Sequence, residues 1–252
     1  MKNPFISIVS AVFNEEKNIY KTLKSLKKQK YKNFEYIVID NNSSDKTIEI
    51  IKEFTADFNI IIVSEADKGI YFAWNKALKI FHGDFIAFIG AGDEYINSKS
   101  LLKLVQNIPN DNIDYVHAKY QYGNKIYGEH LVWSHFKKYM TIMHCGALTS
   151  RNFIKRNGFF NEKYLYASDY EYLLRSKGNI SDIFVDEVVV RMFKYGVTNT
   201  KLTAIYEAYQ IKNKLQLNTF TENFIQFIFL CIKFYLKRCI HSKLINLKLQ
   251  LK

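Results

Sequence analysis

Apolar residues in the first hundred positions come in short blocks, each closed by polar residues, and the spacing alternates between two periods. Phe5–Phe13 alternates as a strand does, with Ile6, Ile8 and the Ala11–Phe13 stretch directed inward. From Asn14–Glu16 to about Lys28 the period lengthens to that of a helix, with Ile19, Leu23 and Leu26 on one stripe. Phe34–Asp40 (FEYIVID) reads as a second strand. A polar turn, Asn41–Asp45, follows, and Ser44 or Asp45 is placed to cap a helix reaching Phe58. Ile60–Val63 is a third strand, Ile70–Phe81 a helix ended by Gly83, and Phe85–Ile89 a strand buried on both faces.

Strand and helix alternating at this spacing make βαβ units, hence an α/β domain around a mostly parallel sheet. Each strand runs out into polar residues: Asn14 and Glu15, then Asp40 to Asn42, then Glu65 and Asp67, then Asp93. Ligands of open α/β sheets bind beyond the carboxyl ends of the strands, so these residues mark the expected site. Gly90, Ala91 and Gly92 precede Asp93 and leave room for a bulky ligand to approach the backbone. No G-x-G-x-x-G follows the first strand and no G-K-[ST] loop occurs, which excludes the dinucleotide-binding and P-loop readings.

Beyond Ser98 the pattern is less regular. Leu101–Val105 reads as helical, Ile113–His117 and Lys125–Glu129 as strands, and Thr141–Thr149 as a buried segment leading to a short helix. Ser168–Lys177 is a helix with Tyr172, Leu173 and Leu174 inward, and Ile183–Val190 is a strand. The most apolar run, Phe224–Leu236, spans about 20 Å as a helix, short of the roughly 30 Å bilayer core.

Composition narrows the classes. With 48% apolar residues and two prolines the chain is neither disordered nor built on a Pro-rich linker. Three scattered cysteines make no disulfide framework or zinc site and suit a reducing cytoplasm, and no secretory leader is expected. The net charge is +12, and +7 of it lies in residues 201–252. Without helix-turn-helix, zinc-finger or RNA-recognition spacing, no nucleic acid is expected as partner; an anionic membrane surface is.

Four segments in order, SIVSAVFNEE, FEYIVIDNNSSDKT, SEADKGIYFAWNKAL and FIGAGDEY, resemble family 2 glycosyltransferases of the GT-A fold. A fifth, GFFNEKYLYASDYEYLLR (Gly158–Arg175), is similar to the region that supplies that family's catalytic carboxylate. The nearest likeness is to the short bacterial enzymes of colanic-acid and O-antigen assembly. It spans about residues 5–200. That implies a catalytic domain over 1–200, with a nucleotide-sugar half to about 97 and an acceptor half from 98. Residues 201–252 form a helical extension.

The resemblance implies an inverting transfer of a sugar, a UDP-hexose by expectation, from a nucleotide-sugar donor to a hydroxyl of a glycan or lipid-diphosphate-linked acceptor in surface polysaccharide synthesis. Asp169 matches the general base; as a bare residue it also reads as a helix N-cap. Val12, Asn14, Glu15, Asp40 and Asn41 are expected to hold base and ribose, with Lys68, Gly69 and Asn75 closing on the nucleotide. Asp93 is expected to take Mn²⁺ or Mg²⁺ together with the donor diphosphate, and His144 to lie near the acceptor. Three positions depart from the family pattern. Asn41 stands where many members have a second Asp, Gly90–Asp93 where many have D-x-D-D, and Phe72 where the short subgroup commonly has Asp. The lost acids support a rival reading, a non-catalytic membrane-attached scaffold on a decayed transferase fold. The expected location is cytoplasmic and peripheral, on the inner face of the cytoplasmic membrane.

Overall fold

The blocks of β-branched and aromatic residues form strands, and the 3.6-period stretches pack over them as helices. The computed structural model describes residues 3–109, 112–193 and 202–250, with side chains described as far as 236. In chain order the first half runs β1 (Ile6–Val12), α1 (Ile19–Lys27), β2 (Phe34–Asp40), α2 (Thr47–Lys52), β3 (Asn59–Ser64), α3 (Ile70–Ile80) and β4 (Phe85–Phe88). The second half adds β5 (Glu94–Tyr95), α4 (Ser100–Val105), β6 (Tyr115–Tyr122), β7 (Lys125–Tyr127), α5 (Trp133–Phe136), β8 (Leu148–Ser150), α6 (Arg151–Asn157), α7 (Ser168–Leu174) and β9 (Asp182–Met192). Two helices follow, α8 (Leu202–Lys214) and α9 (Phe220–Gln250). The chain separates into two compact units, Met1–Gly196 and Val197–Lys252.

In the first unit the described strands form one sheet in the order β3-β2-β1-β4-β8-β6-β9-β5, with β7 paired antiparallel to β6. β3, β2, β1 and β4 are mutually parallel, β8 runs antiparallel between β4 and β6, and β6 pairs parallel with β9. Every residue of β2 is buried, as a central strand covered on both faces requires. The core gathers Ile6, Ile8, Tyr36, Val38, Phe85 and Ala87 from the strands with Ile19, Leu23 and Leu26 from α1. Each large side chain so buried contributes about 1.5–3 kcal/mol relative to exposure.

Three local expectations need correction. The helix expected from Asn14 begins only at Ile19, because Asn14 sits at φ 53°, a left-handed conformation Asn tolerates and a helix does not. Phe13, expected inward, is 56% exposed. Gly83 is not a helix cap: α3 ends at Ile80, and a Cβ at Gly83 would stand 2.5 Å from the Ser7 backbone nitrogen and the Phe85 carbonyl oxygen. Glycine is needed there so that the chain can enter β4 tight against β1.

In the second unit, α9 is far longer than the expected run. Thr219 and Glu222 form a reciprocal cap at its start: the Glu222 carboxylate accepts from the Thr219 N–H at 2.9 Å, and the Thr219 hydroxyl accepts from the Glu222 N–H at 3.3 Å. One side of α9 packs on α8 through Phe227 against Tyr209, ring centroids 4.9 Å apart, and through Asn223, which donates to Asn213. Phe220 and Phe224, near the Tyr209 ring, are exposed, and so are Ile225, Ile228, Phe229, Ile232, Tyr235 and Leu236. Among the described residues no helix is long and apolar enough to cross a membrane.

Candidate active site

Parallel pairing aligns the strand ends. Val12 is in register with Asp40, and Asp40 with Ser64, so the loops after β1, β2 and β3 leave the sheet side by side. Polar side chains knit these loops together. The Asp40 carboxylate, fully buried, accepts from the Ser43 N–H and from the hydroxyls of Ser43 and Ser64. Asn14 receives the Ser44 N–H at 2.9 Å and gives its own N–H to the Ser43 hydroxyl. The N–H groups of Glu15 and Glu16 go to the Thr47 hydroxyl and the Asp45 carboxylate. Asn41 places its side-chain oxygen on the Asp67 N–H at 2.7 Å, and Asp67 in turn accepts from the Gly69 N–H.

Val12, Asn14, Glu15, Asp40 and Asn41 therefore gather at one sheet edge, and the β3–α3 loop bearing Lys68 and Gly69 is tied to them through Asp67. Lys68 and Gly69 are exposed. Asp40 and Asn41 act here as loop ties, with Asp67 and with Ser43 and Ser64, two partners that the pattern of the sequence did not single out. Asn75 lies elsewhere. Its amide, buried, donates to the Phe160 carbonyl (2.9 Å) and to Glu162 (2.8 Å) and accepts from the Phe160 N–H (2.9 Å). It clamps α3 to the segment before α7 rather than facing the nucleotide loops.

Asp93 closes the turn after β4, and its carboxylate points inward. One oxygen accepts from the Phe193 N–H at 2.6 Å; the other accepts from the Gly90 N–H at 3.0 Å and the Cys145 thiol at 3.1 Å. Burial raises its protonation range above the ordinary carboxylate value, against the opposing pull of the Phe193 N–H and the other donors. Burial likewise pushes the Cys145 thiol well up, and the neighbouring Asp93 adds to it. Thr22 of α1, which the sequence left unmarked, fastens the turn from below: its hydroxyl donates to the Asp93 carbonyl at 2.7 Å and accepts the Gly92 N–H at 2.9 Å.

The side chains of this turn do not by themselves make a divalent-cation site. Mg²⁺ and Mn²⁺ sites are made of oxygen ligands, and here one carboxylate is present with both oxygens already accepting. Glu94 is held 3.0 Å from Arg191. Among the described residues no group of three His, Cys, Asp or Glu side chains could hold a metal ion. Gly92, standing where many family members carry an acid, has φ +91°, and a Cβ there would meet the Phe193 ring at 3.0 Å. An Asp at that position would be strained. Asp93 thus reads as a clasp between the turn and the end of β9. Asp93→Asn is expected to lower the melting temperature by several degrees, because the amide turns an acceptor into a donor facing a buried N–H, costing about 1–3 kcal/mol. Any Mn²⁺ effect on UDP binding, followed calorimetrically, is expected to match wild type; its loss in the variant would return the metal to Asp93.

Asp169 stands in the first turn of α7, half-buried. Its Oδ1 accepts from the Tyr71 hydroxyl of α3 at 3.1 Å and from the Tyr170 N–H at 2.8 Å. The donation from Tyr170 satisfies an otherwise orphaned helix-terminal N–H, but Asp169 is not the N-cap expected as an alternative: α7 starts at Ser168, and Ala167 is its N-cap. His144 is not open to an acceptor. At 2% exposure it stacks on Trp74 and Phe88, with centroids 5.4 and 5.2 Å away, and its Nδ1 lies 3.3 Å from the Tyr115 hydroxyl. Burial pulls its pKa down to about 3, so the ring is neutral and serves as one plate of an aromatic cluster.

Known proteins match both the sequence and this arrangement. The model of glycosyl transferase family 2 matches residues 7–167. An Escherichia coli protein, UDP-Glc:alpha-D-GlcNAc-diphosphoundecaprenol beta-1,3-glucosyltransferase WfgD, is 30% identical over 148 residues, 58% of this chain and 58% of that protein. The chain thus spans less than two thirds of that relative. Staphylococcus aureus TarS in complex with UDP-GlcNAc superposes with a TM-score of 0.67 at 19% identity, over 87% of this chain and 69% of the solved one. The mannosyltransferase PcManGT from Pyrobaculum calidifontis, solved with GDP-Man and Mn²⁺, gives 0.65 at 17%, over 86% and 65%. At such identities the structural likeness speaks for the fold, and the family model covers well over half of the chain. The protein belongs to glycosyl transferase family 2 and has its GT-A fold.

Proposed function

We propose that this protein is an inverting glycosyltransferase. It moves a hexose from a UDP-sugar to a hydroxyl of a glycan or lipid-diphosphate-linked acceptor, in the assembly of a bacterial surface polysaccharide. The observation that carries this is Asp169, a carboxylate at the head of α7 oriented by a buried tyrosine, in a chain whose β1–β3 ends bring their polar loops to one edge. In this reading Asp169 takes the acceptor proton as the hydroxyl oxygen attacks the anomeric carbon. The new C–O bond forms on one face while the bond to the diphosphate breaks on the other, and UDP leaves with the electron pair. Val12, Asn14, Glu15, Asp40 and Asn41 frame the base and ribose, and Lys68 and Gly69 border the donor from the β3–α3 loop. Mn²⁺ or Mg²⁺ would enter with the donor diphosphate. Lipid-linked acceptors are named for the E. coli relative, which supports that class here.

The partner surface in this reading is the anionic inner face of the cytoplasmic membrane. The exposed apolar row of α9 and the net +7 of residues 201–252 support it. The experiment for the activity is incubation of the full chain with a panel of sugar nucleotides, Mn²⁺ and a lipid-diphosphate-linked glycan. Acceptor-dependent release of UDP from one UDP-hexose is expected. No release from any donor would overturn the enzymatic reading in favour of the scaffold that the lost acids at Gly90 and Gly92 suggest.

A further inference from the structure

We infer that Tyr71 is a positioning residue for the reaction: its hydroxyl holds Oδ1 of Asp169 and so orients the carboxylate that takes the acceptor proton. This rests on the reading of Asp169 as the base. Tyr71 is 4% exposed, on the first turn of α3 directly after the donor-side loop. Its ring lies nearly parallel to Phe160, centroids 6.0 Å apart at 27°, and edge-on to Trp74 at 5.4 Å and 85°. Phe160 is itself locked through its backbone by the Asn75 amide, which both donates to its carbonyl and accepts from its N–H. A ring caged this way has little rotational freedom, so the hydroxyl is delivered to one place, 3.1 Å from Oδ1.

The Tyr170 N–H reaches the same oxygen at 2.8 Å from the side of α7. Two donors from different elements converge on Oδ1 and set the plane of the carboxylate. A reacting group misplaced by about 1 Å can cost up to two orders of magnitude in rate, so an anchored carboxylate matters to turnover more than to substrate affinity. Tyr71 also connects the donor-side helix α3 with the acceptor-side helix α7, which sequence spacing cannot show because 98 positions separate the two residues.

The test is Tyr71→Phe in the full chain, which keeps the ring and its packing and removes only the hydroxyl. In the wild-type background kcat is expected to fall about 10-fold while the KM for the UDP-sugar stays within about twofold. In the Asp169→Asn background the same substitution is expected to change the residual rate by less than about twofold, since there is no base left to orient. An unchanged kcat in the first background, a change confined to KM, or an equal loss in both backgrounds would each overturn the inference. Wild-type turnover by Asp169→Asn alone would instead remove the base assignment, so the two failures are distinguishable.

Discussion

Asp169→Asn is expected to retain its fold and bind UDP as wild type does, yet turn over at least about a hundredfold more slowly. General-base catalysis is worth about 10²–10⁴, and the amide keeps the shape and an acceptor oxygen while losing the capacity to take a proton. The fold should survive for a local reason. The Tyr71 hydroxyl and the Tyr170 N–H both donate to Oδ1, and the carbonyl oxygen of Asn can receive the same two bonds. UDP binding should survive because the nucleotide loops are tied by Asp40, Asn14, Asn41 and Asp67, none of which bonds to Asp169. Single-turnover kinetics with a fixed UDP-sugar, alongside calorimetric titration with UDP, separate the two effects. A variant within a few-fold of the wild-type rate would mean that Asp169 serves only to hold the first turn of α7 through the Tyr170 N–H.

The full chain is expected to float with anionic liposomes at low salt and to bind neutral ones more weakly. On α9, Ile225, Ile228, Phe229, Ile232, Tyr235 and Leu236 recur at helical spacing and are exposed, as are Phe220 and Phe224 beside the Tyr209 ring of α8. Burying a side chain of this size in an acyl boundary contributes about 1.5–3 kcal/mol, insensitive to salt. The same helix carries Lys237, Arg238, Lys243 and Lys248 in sequence, each adding about 1 kcal/mol near an anionic surface and fading within a Debye length of about 8 Å. Salt should therefore weaken the association without abolishing it. Substituting Ile228→Asp with Phe229→Asp changes two outward-facing residues and leaves the packing on α8 alone, and should reduce partitioning by about two orders of magnitude. If wild type stays soluble with anionic liposomes at low salt, the membrane reading fails. The transferase reading stands without it, but the lipid-linked acceptor then rests on likeness alone.

Period and polarity within short windows determined much of this protein. β2 runs from Phe34 to Asp40 as its unbroken apolar run dictates, and the Ile19–Leu23–Leu26 stripe is buried as a helix of that period must be. The gathering of polar strand ends was legible too, because parallel strands joined by helices all present their carboxyl ends at the same edge. The extent of α9 was misjudged where charged residues interrupt the apolar run. Lys233, Lys237 and Arg238 do not stop a helix; they are among its better formers.

What only the tertiary structure decided was the direction in which each candidate side chain points. Asp93 sits at the expected edge, but Phe193 and Cys145, 100 and 52 positions away, turn its carboxylate inward. Asn75 answers to Phe160, 85 positions on, and His144 packs against both Trp74 and Phe88. Tyr71 looked like one more apolar position on α3 until its partner on α7 was in place. A hydrogen bond is satisfied by whichever group the fold brings within about 3 Å, and burial fixes a charge state through everything packed around it. Neither is a property of a window of sequence, so residue type and strand register marked where chemistry gathers, and long-range packing assigned which of those residues can perform it.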